Sequence, residues 1–548
     1  MENPKNELKD SKPGVEAMVQ SFVLRAGGDE RVAEICGRAI AQEKEGGVCL
    51  PLAPEEAECM KSSSIVSPTT GQGLFVLDGN RLYTRRNWDY EQKVRNRVTE
   101  MVQGGAENGK IDIPTDGAFA GMKACQREAI QGMATHRFTI MTGGPGTGKT
   151  YTIARAVKLL REQNPNLKLG LAAPTGKAAA RVKEAMETEA KALGLESVPE
   201  TTTLHKLLGS NYDFVTFKHH RDNQLELEWL IVDEASMISL SMMAKLLDAL
   251  PEKCRLTLVG DAFQLSSVEP GKVFGDLCRM KLVNDRGCKC ELNESNRFQA
   301  GGEIDTLAGL IKLGDSAKTL DFLKKPDTKV VHYYCLKEEE SQRIFNQITE
   351  SLFDEFCCQT TPKEALEAMN KCRILCAVRK GPFGCEKLND RLRKKMQKKY
   401  PNGPIPWMIT RNDSALGVSN GDVGVVLALH ASDALSLRDG ESSREVPLAL
   451  LPDREKAFAS TIHKAQGSEY ENVIIVLPPI SAEKTDDDEP DFQRTLTREL
   501  LYTALTRVKT KIDEATGETR GGVYIFADDK SIEECCNKET KRNTGLAD

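Results

Sequence analysis

The sequence predicts an α/β protein in which parallel sheets are covered by helices. From about residue 121 onward, short apolar runs typical of buried strands alternate with helical segments, and this alternation indicates a parallel sheet. A second set of such runs later in the chain indicates a second α/β domain. The predicted strands are 138–142, 167–173, 227–233 and 254–260 in the first set, and 372–378, 473–477 and 522–527 in the second.

The composition is that of an ordinary soluble protein. Hydrophobic residues make up 40% and charged residues 28% of the 548 residues, and this length predicts about three or four domains. The net charge of −6 gives no overall positive field for nucleic acid, although a basic channel would be enough to bind it. No stretch is long and apolar enough to span a membrane, and the residues after Met1 are polar, so a cytoplasmic location is expected.

The sixteen cysteines are scattered, and none of their close pairs has the C-x-x-C spacing of a zinc site. This usage is typical of a reducing compartment. Cys372, Cys376 and Cys385 could surround an iron–sulfur cluster. However, Cys372 and Cys376 fall inside a predicted buried strand, so we interpret all three as core residues.

Residues 1–110 are predicted to form an N-terminal interaction domain. The region shows no set of residues with catalytic chemistry, which favours a role as an interface or a scaffold. Its predicted elements are a helix near 18–25, a strand near 48–52, two strands joined by a turn at 78–80, and a helix near 89–102, followed by a linker at 104–118.

Two segments interrupt the α/β alternation. The first, 209–228, alternates apolar and polar residues around a turn, which predicts a small β-hairpin insert. The second, about 400–455, has short β runs separated by glycine and asparagine turns, which predicts a small β-barrel-like insert with a loop at 433–446. The two α/β domains would then occupy 111–290 and 291–548. An acidic loop at 483–491 is interpreted as solvated.

The loop after the first predicted strand has the pattern G-x-x-x-x-G-K-T between a strand and a helix. Such a loop wraps its backbone N–H groups around an oligophosphate at a helix N-terminus. Lys149 would reach the β- and γ-phosphates, and the Thr150 hydroxyl would ligate Mg²⁺. The chain is therefore predicted to bind and hydrolyse a nucleoside triphosphate. The loop residues are Gly143, Gly144, Pro145, Gly146, Thr147, Gly148, Lys149 and Thr150.

Two adjacent acids, Asp233 and Glu234, end another apolar strand. Alone, such a pair is more often a solvated strand end. Downstream of a complete P-loop, the pattern favours Asp233 as a Mg²⁺-associated carboxylate and Glu234 as the group that polarises the attacking water.

Three further residues are candidates for contacts with the γ-phosphate. Gln264 follows the next strand and could report the γ-phosphate, although Asp261 could simply cap a helix beside an incidental glutamine. A lone arginine is more often a surface residue. Arg297 and Arg507, in the second half, are candidates because a guanidinium supplied across a cleft would stabilise transition-state charge, and the choice of these two depends on the family resemblance given below. The polar loop 460–469 suits contacts with both a phosphate backbone and a nucleotide, the latter through Gly467 and Glu469.

In order, these segments resemble the superfamily-1 DNA helicases, and among them the RecD family, the alpha subunits of exodeoxyribonuclease V (RecBCD). The resemblance covers roughly residues 120–528, and the N-terminal VCLPL and RLYTRRNWDYE also resemble the RecD start. Ala465 stands where the family often has a serine, and the acidic loop has no counterpart. The segments are GGPGTGKT, AAPTGKAAAR, TLHKLLG, VDEAS, LVGDAFQLSSVEPGKVFGDL, LNESNRF, CAVRKGPFGCEKLN, RNDSALGVSNGDVGVVL, STIHKAQGSE and LLYTALTR.

The resemblance assigns roles to individual residues. Gln126 matches the adenine-recognising glutamine, Gln264 the γ-phosphate sensor, and Arg297 and Arg507 the arginine fingers. It implies two RecA-like P-loop domains with ATP and Mg²⁺ between them, and RecB-like and RecC-like partners. Residues in motifs that contact single-stranded DNA are Pro174, Thr175, His205, Thr461 and His463.

The sequence therefore predicts an ATP-dependent helicase subunit that acts on duplex DNA ends in double-strand-break repair, with 5′ to 3′ polarity implied by the resemblance. Two alternatives stay open: a stand-alone helicase of the same superfamily, and an ATP-gated structural subunit with a weak motor. The chain shows no additional carboxylate–lysine cluster for a nuclease, so exonuclease activity is assigned to a partner.

Overall fold

The computed structural model describes most of the chain, and the positions of its α-helices and β-strands are given only for these residues. The described residues are 14–69, 71, 73–104, 111–195, 198–210, 216–294, 302–336, 339–413, 415–427, 434–439, 442–480, 495–512 and 519–547. The acidic loop predicted at 483–491 lies outside them. Among the described residues, no helix combines the length and the apolar character needed to cross a bilayer.

The N-terminal domain is a small mixed sheet with helices. The predicted strands are present, and the strand order is β1-β4-β3-β2. The sequence pattern did not predict the second helix, although Asp29 caps its N-terminus by accepting a hydrogen bond from the Val32 N–H (2.8 Å). The elements are α1 (Val15–Arg25), α2 (Glu30–Lys44), β1 (Cys49–Pro51), α3 (Pro54–Lys61), β2 (Val66–Ser67), β3 (Phe75–Asp78), β4 (Arg81–Thr84) and α4 (Arg85–Gln103).

The first α/β domain is a six-stranded parallel sheet, as the alternation of strands and helices predicts. Its strand order is β10-β5-β9-β8-β6-β7, and β5 and β8 are buried along their whole length because helices cover both faces. The elements are α5 (Ala124–Thr135), β5 (Phe138–Gly143), α6 (Lys149–Gln163), β6 (Leu169–Ala173), α7 (Gly176–Leu193), β7 (Thr201–Thr203), α8 (Leu204–Leu208), β8 (Trp229–Val232), α9 (Leu240–Ala249), β9 (Arg255–Gly260), α10 (Val273–Arg279), α11 (Lys281–Asp285) and β10 (Lys289–Leu292).

The hairpin predicted at 209–228 forms isolated antiparallel bridges in its described part. Ser210 pairs with Phe217, and His220 pairs with Asn223 across the predicted turn. No continuous strand forms among the described residues of this segment. Residues 211–215 lie outside the described residues.

The second α/β domain contains a five-stranded parallel sheet with the order β11-β22-β19-β12-β18. The three cysteines considered for a cluster, Cys372, Cys376 and Cys385, are buried in one hydrophobic core, as predicted. The elements are α12 (Glu303–Leu313), α13 (Ser316–Leu323), β11 (Val331–Cys335), α14 (Glu339–Cys357), α15 (Pro362–Met369), β12 (Cys372–Cys376), α16 (Cys385–Lys399), β13 (Ile405–Ile409), β14 (Val423–Val426), β15 (Ala434–Asp439), β16 (Ser442–Pro447), β17 (Arg454–Lys456), β18 (Ala459–Thr461), β19 (Asn472–Val476), α17 (Arg498–Leu505), β20 (Lys511–Ile512), β21 (Thr519–Arg520), β22 (Gly522–Ala527) and α18 (Asp529–Asn537).

The insert in the second α/β domain is a five-stranded antiparallel sheet with the order β16-β15-β14-β13-β17. The loop predicted at 433–446 is wrong, because β15 and β16 pair there from Ala434 opposite Pro447 to Asp439 opposite Ser442. Leu435, Leu437 and Val446 supply the buried face of this pair. Alternating apolar residues thus outweigh the polar turn residues that suggested a loop.

The C-terminal tail, residues 538–547, connects all three domains. It leaves α18 of the second α/β domain and crosses the first, where an Arg542 Nη1 donates to the Glu269 carbonyl (2.7 Å). The Asn543 carbonyl then accepts a hydrogen bond from the N–H of the first residue of β1 (3.2 Å). Leu546 is fully buried in the core that α4 shares with the first α/β domain. No sequence pattern predicted this path.

Candidate nucleotide-binding and DNA-binding site

The P-loop connects β5 to α6 at the carboxyl edge of the first sheet. Gly146 and Gly148 have left-handed backbone conformations, with φ of 76° and 84°, which glycine adopts without strain. Because α6 begins at Lys149, the N–H groups of its first turn have no partner within the helix. The Lys149 Nζ donates hydrogen bonds to the carbonyl oxygens of Gly143 (2.8 Å) and Gly144 (3.1 Å). The loop therefore has the backbone shape and the cation that a phosphate site requires.

Gln126 lies against the P-loop, near the start of α5, and is 2% exposed. Its Oε1 accepts a hydrogen bond from the Lys123 N–H (3.1 Å), and its Nε2 donates to the Thr147 carbonyl (3.4 Å). A Cβ atom at Gly148 would lie 2.7 Å from this Nε2, so a larger residue there would have to displace the end of the Gln126 side chain. The role of Gln126 in base recognition stays a prediction.

The two predicted acids follow β8, close to the P-loop. Asp233 is buried, and one of its oxygens accepts a hydrogen bond from the Glu234 N–H (2.8 Å). Burial, and secondly the Glu234 charge, raise the pKa of Asp233 to about 6, while the Lys149 ammonium opposes this rise. Thr150 is the second residue of α6, so its hydroxyl lies in the first turn of the helix, next to Lys149.

Glu234 has an unusual backbone conformation. Its φ is 52°, and in the described part of the chain no other residue apart from glycines has a positive φ. A left-handed conformation at a glutamate costs about 1 kcal/mol or more, and such strain is concentrated at functional sites. The structure thus distinguishes Glu234 from an ordinary strand end, which sequence patterns could not do.

Gln264 is held by a buried network that includes a residue of the second α/β domain. Its Nε2 donates to an Asp261 carboxylate oxygen (3.2 Å), and the same oxygen accepts a hydrogen bond from the Tyr502 hydroxyl (2.9 Å). Burial, and secondly Asp261, raise the pKa of Tyr502 well above its usual value, so the phenol keeps the proton that it donates. Asp261 therefore does more than cap a turn, and Tyr502 is a residue of the site that the sequence motifs alone did not single out.

Leu265, the next residue, adds two more hydrogen bonds between the domains. Its N–H donates to the Thr503 hydroxyl oxygen (2.9 Å), and its carbonyl accepts from the Gln466 Nε2 (2.7 Å). The candidate phosphate sensor is therefore connected through the adjoining backbone to α17 and to the loop that contains Gln466. This connection is suited to couple nucleotide state to domain position.

Arg507 follows α17 and is 3% exposed at the junction of the two α/β domains. Its Nε donates to the Thr503 carbonyl (3.1 Å), and its Nη1 donates to the Ser468 carbonyl (3.4 Å). Burial lowers the pKa of Arg507, whereas the charge of Glu234 in the other domain opposes that change. The structure thus places the predicted finger within electrostatic reach of the predicted base. The other predicted finger, Arg297, lies outside the described residues.

The loop with Gly467 and Glu469 contacts the first α/β domain through Arg181 of α7. The Arg181 Nη1 donates a hydrogen bond to the Gly467 carbonyl (3.0 Å), and the Arg181 Nη2 forms an ion pair with the Glu469 carboxylate. The Glu469 charge also acts on Arg507. These two predicted nucleotide-binding residues therefore lie beside the interdomain site.

Residues predicted to contact DNA lie at ends of strands and helices. Pro174 and Thr175 follow β6, and the Thr175 hydroxyl oxygen caps α7 by accepting from the Ala178 N–H (3.2 Å). His205 is solvent-exposed on α8, and its ring centroid lies 5.9 Å from that of Phe217. This exposure leaves the ring nitrogens of His205 accessible to a ligand.

Thr461 and His463 end β18 and begin the following turn. The Thr461 hydroxyl oxygen accepts a hydrogen bond from the Lys464 N–H (3.4 Å). Burial, and secondly the Arg542 charge, lower the pKa of His463 to about 4, so this imidazole is neutral at physiological pH. Contact with DNA through His463 would therefore depend on hydrogen bonding and stacking, because the ring carries no charge.

Lys177, in the segment AAPTGKAAAR, is a functional candidate that sequence reasoning did not select. Burial lowers its pKa, and its charge acts on Tyr470 and Asp422 across the domain boundary. A Cβ atom at the preceding Gly176 would lie 2.5 Å from the Ser419 Oγ of the antiparallel insert. The start of α7 thus meets the insert directly. The position of Lys177 next to Pro174 and Thr175 was the available signal.

Two family models match parts of the chain. Residues 126–270 match a model described as an AAA domain, and residues 456–512 match a model described as a UvrD-like helicase C-terminal domain. The first match contains the P-loop, the acid pair and Gln264. The second contains the 460–469 loop and Arg507.

Full-length relatives extend the similarity over most of the chain. The RecBCD enzyme subunit RecD of Mycolicibacterium smegmatis is 36% identical over 491 residues, which cover 85% of this chain and 84% of the relative. The RecBCD enzyme subunit RecD of Haemophilus influenzae is 31% identical, over 77% of this chain and 71% of the relative. The ATP-dependent RecD2 DNA helicase of Deinococcus radiodurans is 29% identical, over 81% of this chain and 56% of the relative.

Among solved structures, Bacteroides sp Pif1 in complex with ADP-AlF4 covers 77% of this chain and 96% of its own, with 18% identity and a TM-score of 0.37. The two curated RecD subunits each exceed 30% identity over more than two thirds of both chains. This chain belongs to the RecD family of helicase subunits.

Proposed function

We propose that the chain is the ATP-dependent 5′ to 3′ DNA helicase subunit of a RecBCD-type exodeoxyribonuclease V. It unwinds duplex ends for recombinational repair of double-strand breaks. The observation that carries this proposal is the interdomain junction, where Asp261 and Leu265, beside the candidate sensor Gln264, form hydrogen bonds with Tyr502, Thr503 and Gln466 of the second α/β domain. Hydrolysis at such a junction changes the contacts between two domains, which is what movement along a strand requires.

In this proposal, the P-loop holds the triphosphate and Glu234 accepts a proton from the attacking water as the bond from the γ-phosphorus to ADP breaks. Arg507 stabilises the charge that develops on the transferred phosphoryl group. Gln264 reports the γ-phosphate, and Gln126 binds the base. Gly467 and Glu469 contact the nucleotide from the second α/β domain.

The proposed ligands suit Mg²⁺. The Thr150 hydroxyl and the Asp233 carboxylate are hard oxygen donors of the kind that Mg²⁺ prefers, and Asp233 is buried. Bound there, Mg²⁺ would neutralise charge on the β- and γ-phosphates.

Single-stranded DNA is proposed to cross Pro174, Thr175 and His205 in the first α/β domain and Thr461 and His463 in the second. Contacts with phosphates and stacked bases would make binding sensitive to salt and largely independent of sequence.

The proposed domains are an N-terminal domain (1–110) and two motor domains. The strand β10 (Lys289–Leu292) belongs to the first motor domain because it pairs with β5.

The proposed partners are RecB-like and RecC-like subunits, since the matched relatives are named as subunits of the RecBCD enzyme. The N-terminal domain supports this assignment. On α1, Val15, Met18 and Phe22 are 50%, 59% and 52% exposed. Their i, i+3, i+7 spacing puts them on one face of the helix, and exposed apolar surface of this kind is typical of protein interfaces.

The test is strand displacement by the purified chain, alone and with co-expressed RecB-like and RecC-like subunits, on substrates with a 5′ or a 3′ single-stranded tail. We expect unwinding from the 5′ tail, stronger in the complex. The Lys149→Ala variant should lose DNA-stimulated ATP hydrolysis by about a hundredfold or more. Full-rate unwinding by the chain alone would favour a stand-alone helicase, and DNA-stimulated hydrolysis without unwinding would favour an ATP-gated structural subunit.

A further inference from the structure

Lys312, on α12 of the second α/β domain, directs its ammonium group toward the P-loop of the first. It lines a cavity of about 100 Å³ together with Gly143, Gly144 and Pro145. A Cβ atom at Gly144 would lie 3.9 Å from the Lys312 Nζ. A cation from the second domain therefore already lies close to the loop that is assigned to phosphate binding.

Two aromatic rings hold this ammonium group. The Lys312 Nζ is 4.9 Å from the ring centroids of both Phe263 and Tyr502, and the two rings are 6.3 Å apart at an interplanar angle of 62°. Cation–π contacts position a charge without neutralising it. The rings therefore orient Lys312 and leave its full charge for an anion.

Lys312 differs from other lysines near it in the partner of its ammonium group. Lys318 and Lys272 form ion pairs with Asp315 (2.8 Å) and Glu499 (2.7 Å), respectively. Within the described residues, no carboxylate lies within 4.0 Å of the Lys312 Nζ, although Asp261, Glu291 and Asp305 line the same cavity. A phosphate oxygen is the anion that the adjacent P-loop would supply.

The ring of Tyr502 also connects Lys312 to the sensor network, because the Tyr502 hydroxyl donates to the carboxylate of Asp261, which accepts a hydrogen bond from Gln264. We propose that Lys312 contacts the terminal phosphate of bound ATP, as a cation supplied by the second α/β domain in addition to Arg507. This inference rests on the P-loop assignment made under the proposed function. Its consequence is that the γ-phosphate attracts α12 toward the P-loop and favours closure of the cleft.

The experiment compares Lys312→Gln, Lys312→Arg and wild-type chains for binding of a fluorescent non-hydrolysable ATP analogue and of the matching ADP, with single-stranded DNA present. For Lys312→Gln we expect the affinity for the triphosphate to fall by about tenfold or more and the affinity for ADP by less than about twofold. Lys312→Arg should recover most of the loss because it keeps the charge. Lys318→Ala, on the neighbouring helix α13, is the matched control and should bind both nucleotides like wild type.

An equal loss for both nucleotides, or no loss, would overturn the assignment of Lys312. Thermal unfolding of each variant checks that Lys312→Gln still folds. The Lys149→Ala variant separates this failure from a failure of the site itself. If Lys149→Ala abolishes hydrolysis while Lys312→Gln behaves like wild type, only the Lys312 inference is wrong; retained DNA-stimulated hydrolysis in Lys149→Ala would contradict both.

Discussion

At the carboxyl end of β8, Asp233 has a pKa raised to about 6, mainly by burial and secondly by Glu234. Its carboxylate binds a cation only when ionised, so protonation and Mg²⁺ compete for it. As the pH falls through about 6, the apparent affinity for Mg²⁺ should decrease by up to about tenfold per pH unit, whereas it should be nearly constant at higher pH. Mg²⁺ titrations of ATP hydrolysis at several pH values measure this dependence.

High Mg²⁺ concentrations should restore hydrolysis at low pH, because the bound cation favours the ionised carboxylate. Loss of hydrolysis that added Mg²⁺ does not restore would point to another titrating group. An apparent Mg²⁺ affinity that is the same above and below this pKa would contradict the role of Asp233 as a ligand.

Some of the candidate residues could be predicted from the sequence, and others could not. Lys149, Asp233 and Gln264 each follow a buried strand, and the parallel sheet brings the carboxyl ends of β5, β8 and β9 to one edge. That convergence could be predicted because a P-loop and strand ends are local patterns. The left-handed φ of Glu234 and the contact between Tyr502 and Asp261 could not, because they depend on packing between distant residues.

Among the elements, α4 carries a buried acid that the C-terminal tail covers. Glu91 is fully buried and accepts hydrogen bonds from the Tyr83 hydroxyl (3.0 Å), the Thr544 hydroxyl (2.7 Å) and the Gly545 N–H (3.0 Å). We expect Glu91→Gln to lower the free energy of unfolding by about 2 kcal/mol, because an amide replaces one charged acceptor in this network. Urea denaturation measures the change.

The matched control is Glu100→Gln on the exposed side of the same helix, where the carboxylate is 63% exposed and pairs with Arg97 (3.2 Å). It should change stability by less than about 0.5 kcal/mol. Deleting residues 544–548 should cost more than Glu91→Gln, because it also removes the buried Leu546 side chain. The two changes together should be less than additive, because both remove the hydrogen bonds between Glu91 and the tail. Full additivity would show that Glu91 stabilises the fold without the tail.

Element prediction succeeded where periodicity was regular and failed where it was short or mixed. Seven strands of the two parallel sheets were predicted because continuous apolar runs mark strands buried on both faces. The strands β7, β10, β11 and β18 were not predicted, because they are short or mix polar residues with apolar ones. The predicted loop at 433–446 is wrong because the segment includes several residues that are common in turns, although β15 and β16 pair there. The apolar side chains Leu435, Leu437 and Val446 are instead buried in the core of the insert, which only becomes clear once the partner strand is known.

Over the whole molecule, the two α/β domains are connected through the segment 261–265. Tyr502→Phe keeps the ring beside Lys312 but removes the hydrogen bond to Asp261, so it tests this connection alone. We expect nucleotide binding to be preserved and the stimulation of ATP hydrolysis by single-stranded DNA to fall by about tenfold, since the lost bond has a charged acceptor. Hydrolysis rates with and without DNA give the ratio.

Tyr524→Phe is the control, because this tyrosine stacks on His332 (5.1 Å between ring centroids) in the sheet of the second domain. It should leave the stimulation by DNA unchanged. Normal stimulation in Tyr502→Phe would mean that the Leu265 hydrogen bonds to Thr503 and Gln466 are sufficient for coupling.

The sequence by itself determined the class of fold, the P-loop, the acid pair and the family, because each depends on residues that are neighbours in the chain or on motifs in a set order. The tertiary structure decided what depends on distant residues meeting. It places Lys312 and Tyr502 of the second domain beside the P-loop of the first, and it brings the C-terminal tail onto Glu91 of the N-terminal domain. Such contacts leave no periodic or local signal, since the residues on each side are individually unremarkable until the chain has folded.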